Sequence, residues 1–146
     1  MTLTRLDIQS DGCLLLTVEA VAPAGSEAAL IAAFVTPEAV ARWWSAELTV
    51  GMVGEPYVAA FARLGQTMRG ELLAHEPARR VGFTWAWEHE PMVPEYRVAV
   101  EAVAEGGRTR LTLTHGLYAD DEAGRADAGS HRAGWEFFLP RLVAGV

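Results

Sequence analysis

The chain has 146 residues, 51% of them apolar, enough to bury one domain's core without metals or disulfides. Its formal net charge is −7 and its basic residues are scattered, Arg79–Arg80 being the only adjacent pair, so no clustered positive surface is available for nucleic-acid phosphates or an anionic membrane. Cys13 is the only cysteine, which excludes an internal disulfide, and no apolar run approaches the roughly 20 residues of a membrane span. The opening MTLTRLDIQSDG lacks the apolar block of a signal peptide, so a cytoplasmic location is expected, with no membrane insertion.

In chain order, Leu3–Gln9 alternates weakly, Asp11–Gly12 is a turn signal, and Cys13–Val21 reads as an apolar strand. Pro23–Ser26 breaks it. Ser26 can cap a short helix carrying Leu30, Ile31 and Phe34; Thr36 and Pro37 restart a second, as N-cap and first helical residue, running into Trp43–Trp44. From about Ala46 the period becomes two, punctuated by Gly51 and Gly54. Strands are expected near 56–63, 66–75, 79–87, 94–104 and 108–116, with Leu64–Gly65 and Gly106–Gly107 as hairpin turns and Pro77 as a break. Pro91 and Pro94 bracket a loop in which His89 and Glu90 face solvent. The last helix starts at Asp120 or Asp121, with Glu122 at the positive end of its dipole. His131, Trp135, Phe138 and Leu142 share one stripe of it; Pro140 is expected to kink or fray it, at a cost of roughly 3 kcal/mol. The pattern implies an α+β fold: a curved antiparallel sheet of about six to seven strands, two short helices and one long C-terminal helix enclosing a cavity.

Candidate ligand-binding residues follow from the inward faces. Val81, Phe83, Trp85 and Trp87 share a strand face. Core packing is favoured for the first two, while Trp85 and Trp87, nearer the open end, are equally placed to form a cavity wall. Leu111, Leu113 and His115 also share a face, so a buried His115 must find a partner, because an unpaired buried polar group costs about 1–3 kcal/mol. A satisfied strand-end histidine outweighs a ligand contact there. His131 is placed to face His115 across the cavity, above Trp135 and Phe138. Of Trp43 and Trp44, one is expected in the core and the other over the cavity mouth; Tyr57, Phe61 and Tyr96 complete the lining. For Arg63, Arg69 and Arg97 the solvated sheet face is the default, pairing with a ligand carboxylate the alternative.

His75, His89, His115 and His131 show no close ligand spacing, so no metal is expected. Cys13 reads as a small buried hydrophobe and Ser130 as a surface residue. No nucleophile elbow, P-loop or dinucleotide fingerprint is present, so no cofactor and no catalytic set is assigned.

Four segments together resemble a known family: ALIAAFVTPEAVARWW at 29–44; Gly51 and Gly54 before Tyr57; MRGELLAHEPARRVGFTW at 68–85; and TRLTLTHGL at 109–117 with HRAGW at 131–135. Their order resembles START-like, helix-grip proteins of the SRPBCC superfamily, in the branch related to the C-terminal domain of the heat-shock-protein-90 ATPase activator. The resemblance implies a helix-grip fold in one domain over 1–146. The activator co-chaperone has a further N-terminal domain, for which this length leaves no room. The superfamily holds binders, cyclases, oxygenase subunits and co-chaperones, so it does not fix function. Binding of a small hydrophobic molecule leads, by a monomer or homodimer. An enzyme of cyclase or hydrolase kind, with His115 or His131 as general base, is the alternative. A protein-interaction module contacting heat-shock protein 90 is a third, resting on the branch alone.

Overall fold

The computed structural model describes residues 2–146. One eight-stranded antiparallel sheet, in the order β1-β2-β8-β7-β6-β5-β4-β3, curves without closing around the helices. The chain begins with the hairpin β1 (Thr2–Ile8) and β2 (Leu14–Pro23), then passes through α1 (Glu27–Ala32) and α2 (Pro37–Trp43) to the opposite edge of the sheet. It returns as a meander: β3 (Glu47–Val50), β4 (Pro56–Phe61), β5 (Gln66–Glu76), β6 (Arg80–Trp87), β7 (Tyr96–Glu105) and β8 (Arg108–Tyr118). β8 closes the meander onto β2, with Leu16 opposite His115. The long α3 (Glu122–Ala144) then lies across β1, β2 and β8 and touches α2.

Alternation along the strands builds the core. β7 buries Tyr96, Val98, Val100 and Ala102 on one face, and β8 buries Leu111, Leu113 and His115 in phase with them. Gly106 and Gly107 join these strands at φ 57° and 76°, the left-handed pair that a two-residue hairpin of right twist requires. No helix is long and apolar enough to cross a membrane.

The strand count exceeds the expected six to seven because β3 is present. It has four residues and buries only Leu48, too little for an alternating signal. Cys13 precedes β2 and is half-buried, held in the turn where its N–H donates to Asp11, so it is not a core strand residue. Ser26 and Thr36 do occupy N-cap positions, but their hydroxyls do not cap. Ser26 Oγ donates to Pro23 O and Thr36 Oγ1 to Ala32 O, which supplies a partner at the carbonyl end of α1. Asp121 caps α3 as expected, accepting from Gly124 N at 2.8 Å. The helix runs through Pro140 to Ala144 without the expected fraying; Leu139 and Leu142, 0% and 2% exposed, anchor that turn on the core.

Two glycines of α3 differ in what a side chain would meet. A Cβ on Gly124 would stand 1.9 Å from Ala119 O, whereas one on Gly129 meets nothing within 4 Å. Gly124→Ala is therefore expected to destabilise the protein by roughly 1–3 kcal/mol or more, and Gly129→Ala to stabilise it by about 0.5–1 kcal/mol. Urea unfolding of the two variants checks this; equal shifts would contradict the packing of the 119–124 link.

Candidate functional site

α3, the ends of β4 to β6 and the loop after β6 enclose a cavity of about 320 Å³. Trp44, Phe61, Trp85, Trp87, Trp135 and Phe138 form its apolar wall, with Tyr96 and His131 on the same lining. Each element delivers its ring by its own period. Trp85 and Trp87 stand two apart at the end of β6; His131, Trp135 and Phe138 follow one stripe of α3. The rings meet edge to face or tilted: Trp44 lies 5.4 Å from both Phe61 and Trp135, and Trp85 lies 5.4 Å from Trp87.

Three candidates do not reach the cavity. Trp43 stacks on Trp44 at 5.0 Å and donates its indole N–H to Ala33 O at 2.9 Å inside the core. Neither tryptophan of this pair lies over the mouth: both are buried, and Trp44 is part of the wall. Tyr57 is fully buried, stacks on Phe83 at 4.1 Å and donates to Phe34 O at 2.6 Å. It shares β4's inward face with Phe61, but only Phe61 sits at the open end. His115 lies one layer behind the lining, 0% exposed.

The two histidines stack, with ring centroids 4.4 Å apart and planes within 4°. Trp135 Nε1 donates to His115 Nδ1 at 2.9 Å. An indole nitrogen only donates, so His115 Nδ1 is the bare nitrogen and its proton sits on Nε2. Burial, and then the neighbouring His131, hold the His115 pKa well below 6.5. Burial lowers His131 to about 4, opposed by the Asp127 carboxylate. Both imidazoles are therefore neutral at pH 7. His131 Nδ1 shares a 2.8 Å hydrogen bond with Tyr118, whose pKa is raised chiefly by burial, and Tyr96 donates to Asp127 at 2.7 Å. His115 Nε2 and Trp85 Nε1 have no hydrogen-bond partner among the described residues.

Several lining residues carry no distinct signal in the sequence. Asp127 stands four residues before His131, so the helix stripe extended back one turn reaches it; Ser130 and Gly134 belong to the same region of α3 and line the cavity too. Leu64 and Val93 arrive from turns, where no period applies, and Gln66 opens β5. Glu90 and the exposed His89, expected in solvent, stand on the cavity's rim. Arg63, Arg69 and Arg97 are exposed and none lines the cavity. Among the described residues no group of three or more His, Cys, Asp or Glu side chains is placed to hold a metal.

A family model described as activator of Hsp90 ATPase homolog 1-like protein matches residues 26–146. The chain belongs to the activator of Hsp90 ATPase homolog 1-like family. Solved structures agree on the fold of this family member. MLL2253 from Mesorhizobium loti is 21% identical, with a TM-score of 0.77 over 89% of this chain and 94% of that one. The Aha1 dimer from Colwellia psychrerythraea is 17% identical, with a TM-score of 0.71 over 88% and 92%. DynU16, a protein in the dynemicin biosynthetic locus, is 23% identical, with a TM-score of 0.74 over 89% of this chain; the chain spans only 46% of DynU16. At these identities the likeness is one of helix-grip fold. No curated protein matches the chain.

The lowered pKa values of His115 and His131 predict that the protein loses stability in acid. Unfolded, His131 takes up a proton near pH 6.5; folded, only near pH 4. The unfolded state therefore binds more protons in that interval, and stability falls as pH drops through it. At about 1.4 kcal/mol per pKa unit, His131 accounts for a loss on the order of 3 kcal/mol. Urea unfolding across the interval is expected to show the decline, and His131→Phe to flatten it; the same slope in the variant would assign the acid sensitivity to other groups.

Proposed function

We propose that the protein binds a small, largely hydrophobic and aromatic ligand in the cavity between the sheet and α3. The observation that carries this reading is the lining itself. Trp44, Phe61, Trp85, Trp87, Trp135 and Phe138 surround about 320 Å³, at the small end of the roughly 300–1,000 Å³ usual for ligand pockets. A few polar groups, Gln66, Asp127 and His131 among them, interrupt the apolar surface and are suited to orient what enters. Gly134 keeps space open on the helix side, since nothing lies within 4 Å of where its Cβ would stand. The residues proposed to touch ligand are first those of the lining; Trp43 and Tyr57 support them from behind.

The neutral His131 is hydrogen-bonded to Tyr118, and Asp127 accepts from Tyr96. Binding without turnover is accordingly the leading reading over a histidine-driven cyclase or hydrolase.

Native mass spectrometry of protein purified from its own host is expected to show a co-purifying small molecule of defined mass. Gly134→Leu is expected to displace that molecule, weakening binding by at least about tenfold, while leaving stability equal or higher, because leucine favours helix over glycine by roughly 0.8 kcal/mol. A clean unliganded mass that persists after exposure to lipid and metabolite extracts would sink the binding reading and favour a protein partner, heat-shock protein 90 first.

A further inference from the structure

The aromatic wall conceals two donors that the protein does not use. Trp85 Nε1 and His115 Nε2 are sealed from solvent and lack any hydrogen-bond partner among the described residues. Both belong to well-packed side chains, Trp85 5% and His115 0% exposed. An unpaired buried donor costs about 1–3 kcal/mol, so two side by side in one apolar region call for an acceptor. They are neighbours: the rings of Trp85 and His115 lie 4.9 Å apart, centroid to centroid. The His115 ring also packs against His131 at 4.4 Å, Tyr96 at 5.9 Å and Trp135 at 6.1 Å. All of those rings, and Trp85, line the cavity. The hydrogen bond from Trp135 occupies His115 Nδ1, so the free nitrogen is Nε2 and it must be a donor.

The charges around the cavity decide what kind of acceptor fits. Its acidic and histidine lining comprises Glu90, Asp127, His89 and His131, with no arginine. A ligand carboxylate or phosphate would meet two carboxylates and no fixed cation. An uncharged carbonyl oxygen meets neither difficulty and, with two lone pairs, can accept from both donors at once.

We infer that the ligand's polar end is an uncharged carbonyl oxygen, of ketone or quinone type, held jointly by Trp85 Nε1–H and His115 Nε2–H. The inference rests on the cavity's being a ligand site. The oxygen reaches the donors by turning aside the wall rings, Trp85 first. The remainder of the ligand lies against Trp44, Trp87 and Phe138.

Matched naphthalene probes test it. 2-Acetylnaphthalene carries the carbonyl, 2-isopropenylnaphthalene is its hydrocarbon isostere, and 2-naphthoate is the charged counterpart. Titration of the intact protein is expected to rank the ketone at least about tenfold tighter than the hydrocarbon, with the naphthoate weakest. In nitrogen-15 spectra of the same protein the ketone, and not the hydrocarbon, is expected to shift the Trp85 indole N–H and His115 Nε2–H signals downfield. Trp85→Phe is expected to lower ketone affinity about tenfold more than the hydrocarbon's, since both probes lose the same wall area and only the ketone loses a donor. Equal binding of ketone and hydrocarbon, or tightest binding by naphthoate, overturns the inference while leaving the cavity a ligand site. Undisturbed Trp85 and His115 signals under bound ketone overturn it as well, without need of a variant. Binding of none of the three overturns the cavity reading and this inference with it.

Discussion

The hydrogen bond from Trp135 to His115 joins the long helix to the middle of the sheet, and much of the site depends on it. It is buried, so neither partner can exchange it for water, and losing one would strand the other at a cost of about 1–3 kcal/mol. It sets the rotation of α3 about its own axis. With Trp135 turned to β8, His131 one turn earlier must lie over His115, where the two rings stack, and Phe138 must face the open end of β4 to β6. It also fixes a tautomer, and so decides which nitrogen of a neutral imidazole remains free. One contact thereby specifies helix register, ring stacking and the polarity of the cavity's inner end.

Electrically the site is quiet. Tyr96 and Tyr118 remain phenols, their ionisation opposed by burial, and both histidines are held neutral by it. The carboxylate best placed to favour a charged His131, that of Asp127, accepts from Tyr96. Such a set suits holding a neutral molecule better than moving protons at neutral pH, because no member sits near its working pKa.

Period and capping made much of this legible in the chain. Alternation put Trp85 and Trp87 on an inward face, the four-residue step from His131 to Trp135 put both on one stripe, and Asp121 capped α3 as its position implied. What a period cannot give is depth along a face. Tyr57 and Phe61 are indistinguishable by alternation, yet one is core and the other lining, because the cavity occupies only one end of the sheet. Turn residues such as Leu64 and Val93 have no period at all. The hydroxyls of Ser26 and Thr36 mark helix starts correctly but bond backward to carbonyls, a choice made by neighbouring backbone and invisible in residue type. β3 shows the lower limit of strand length that alternation can reveal.

The pairing of β2 with β8 has a consequence for how the molecule comes into being. Leu16 and His115 are opposite one another in the sheet although about two-thirds of the chain lies between them. During synthesis the β1–β2 hairpin emerges first and must wait, its inner edge unpaired, until the meander from β3 to β8 has been made. Closing so long a loop is entropically slow, and sheets dominated by such distant pairings are slow folders. The hairpin is meanwhile a strand edge seeking a partner, so the nascent chain's exposure to misassembly is set by the time taken to deliver β8.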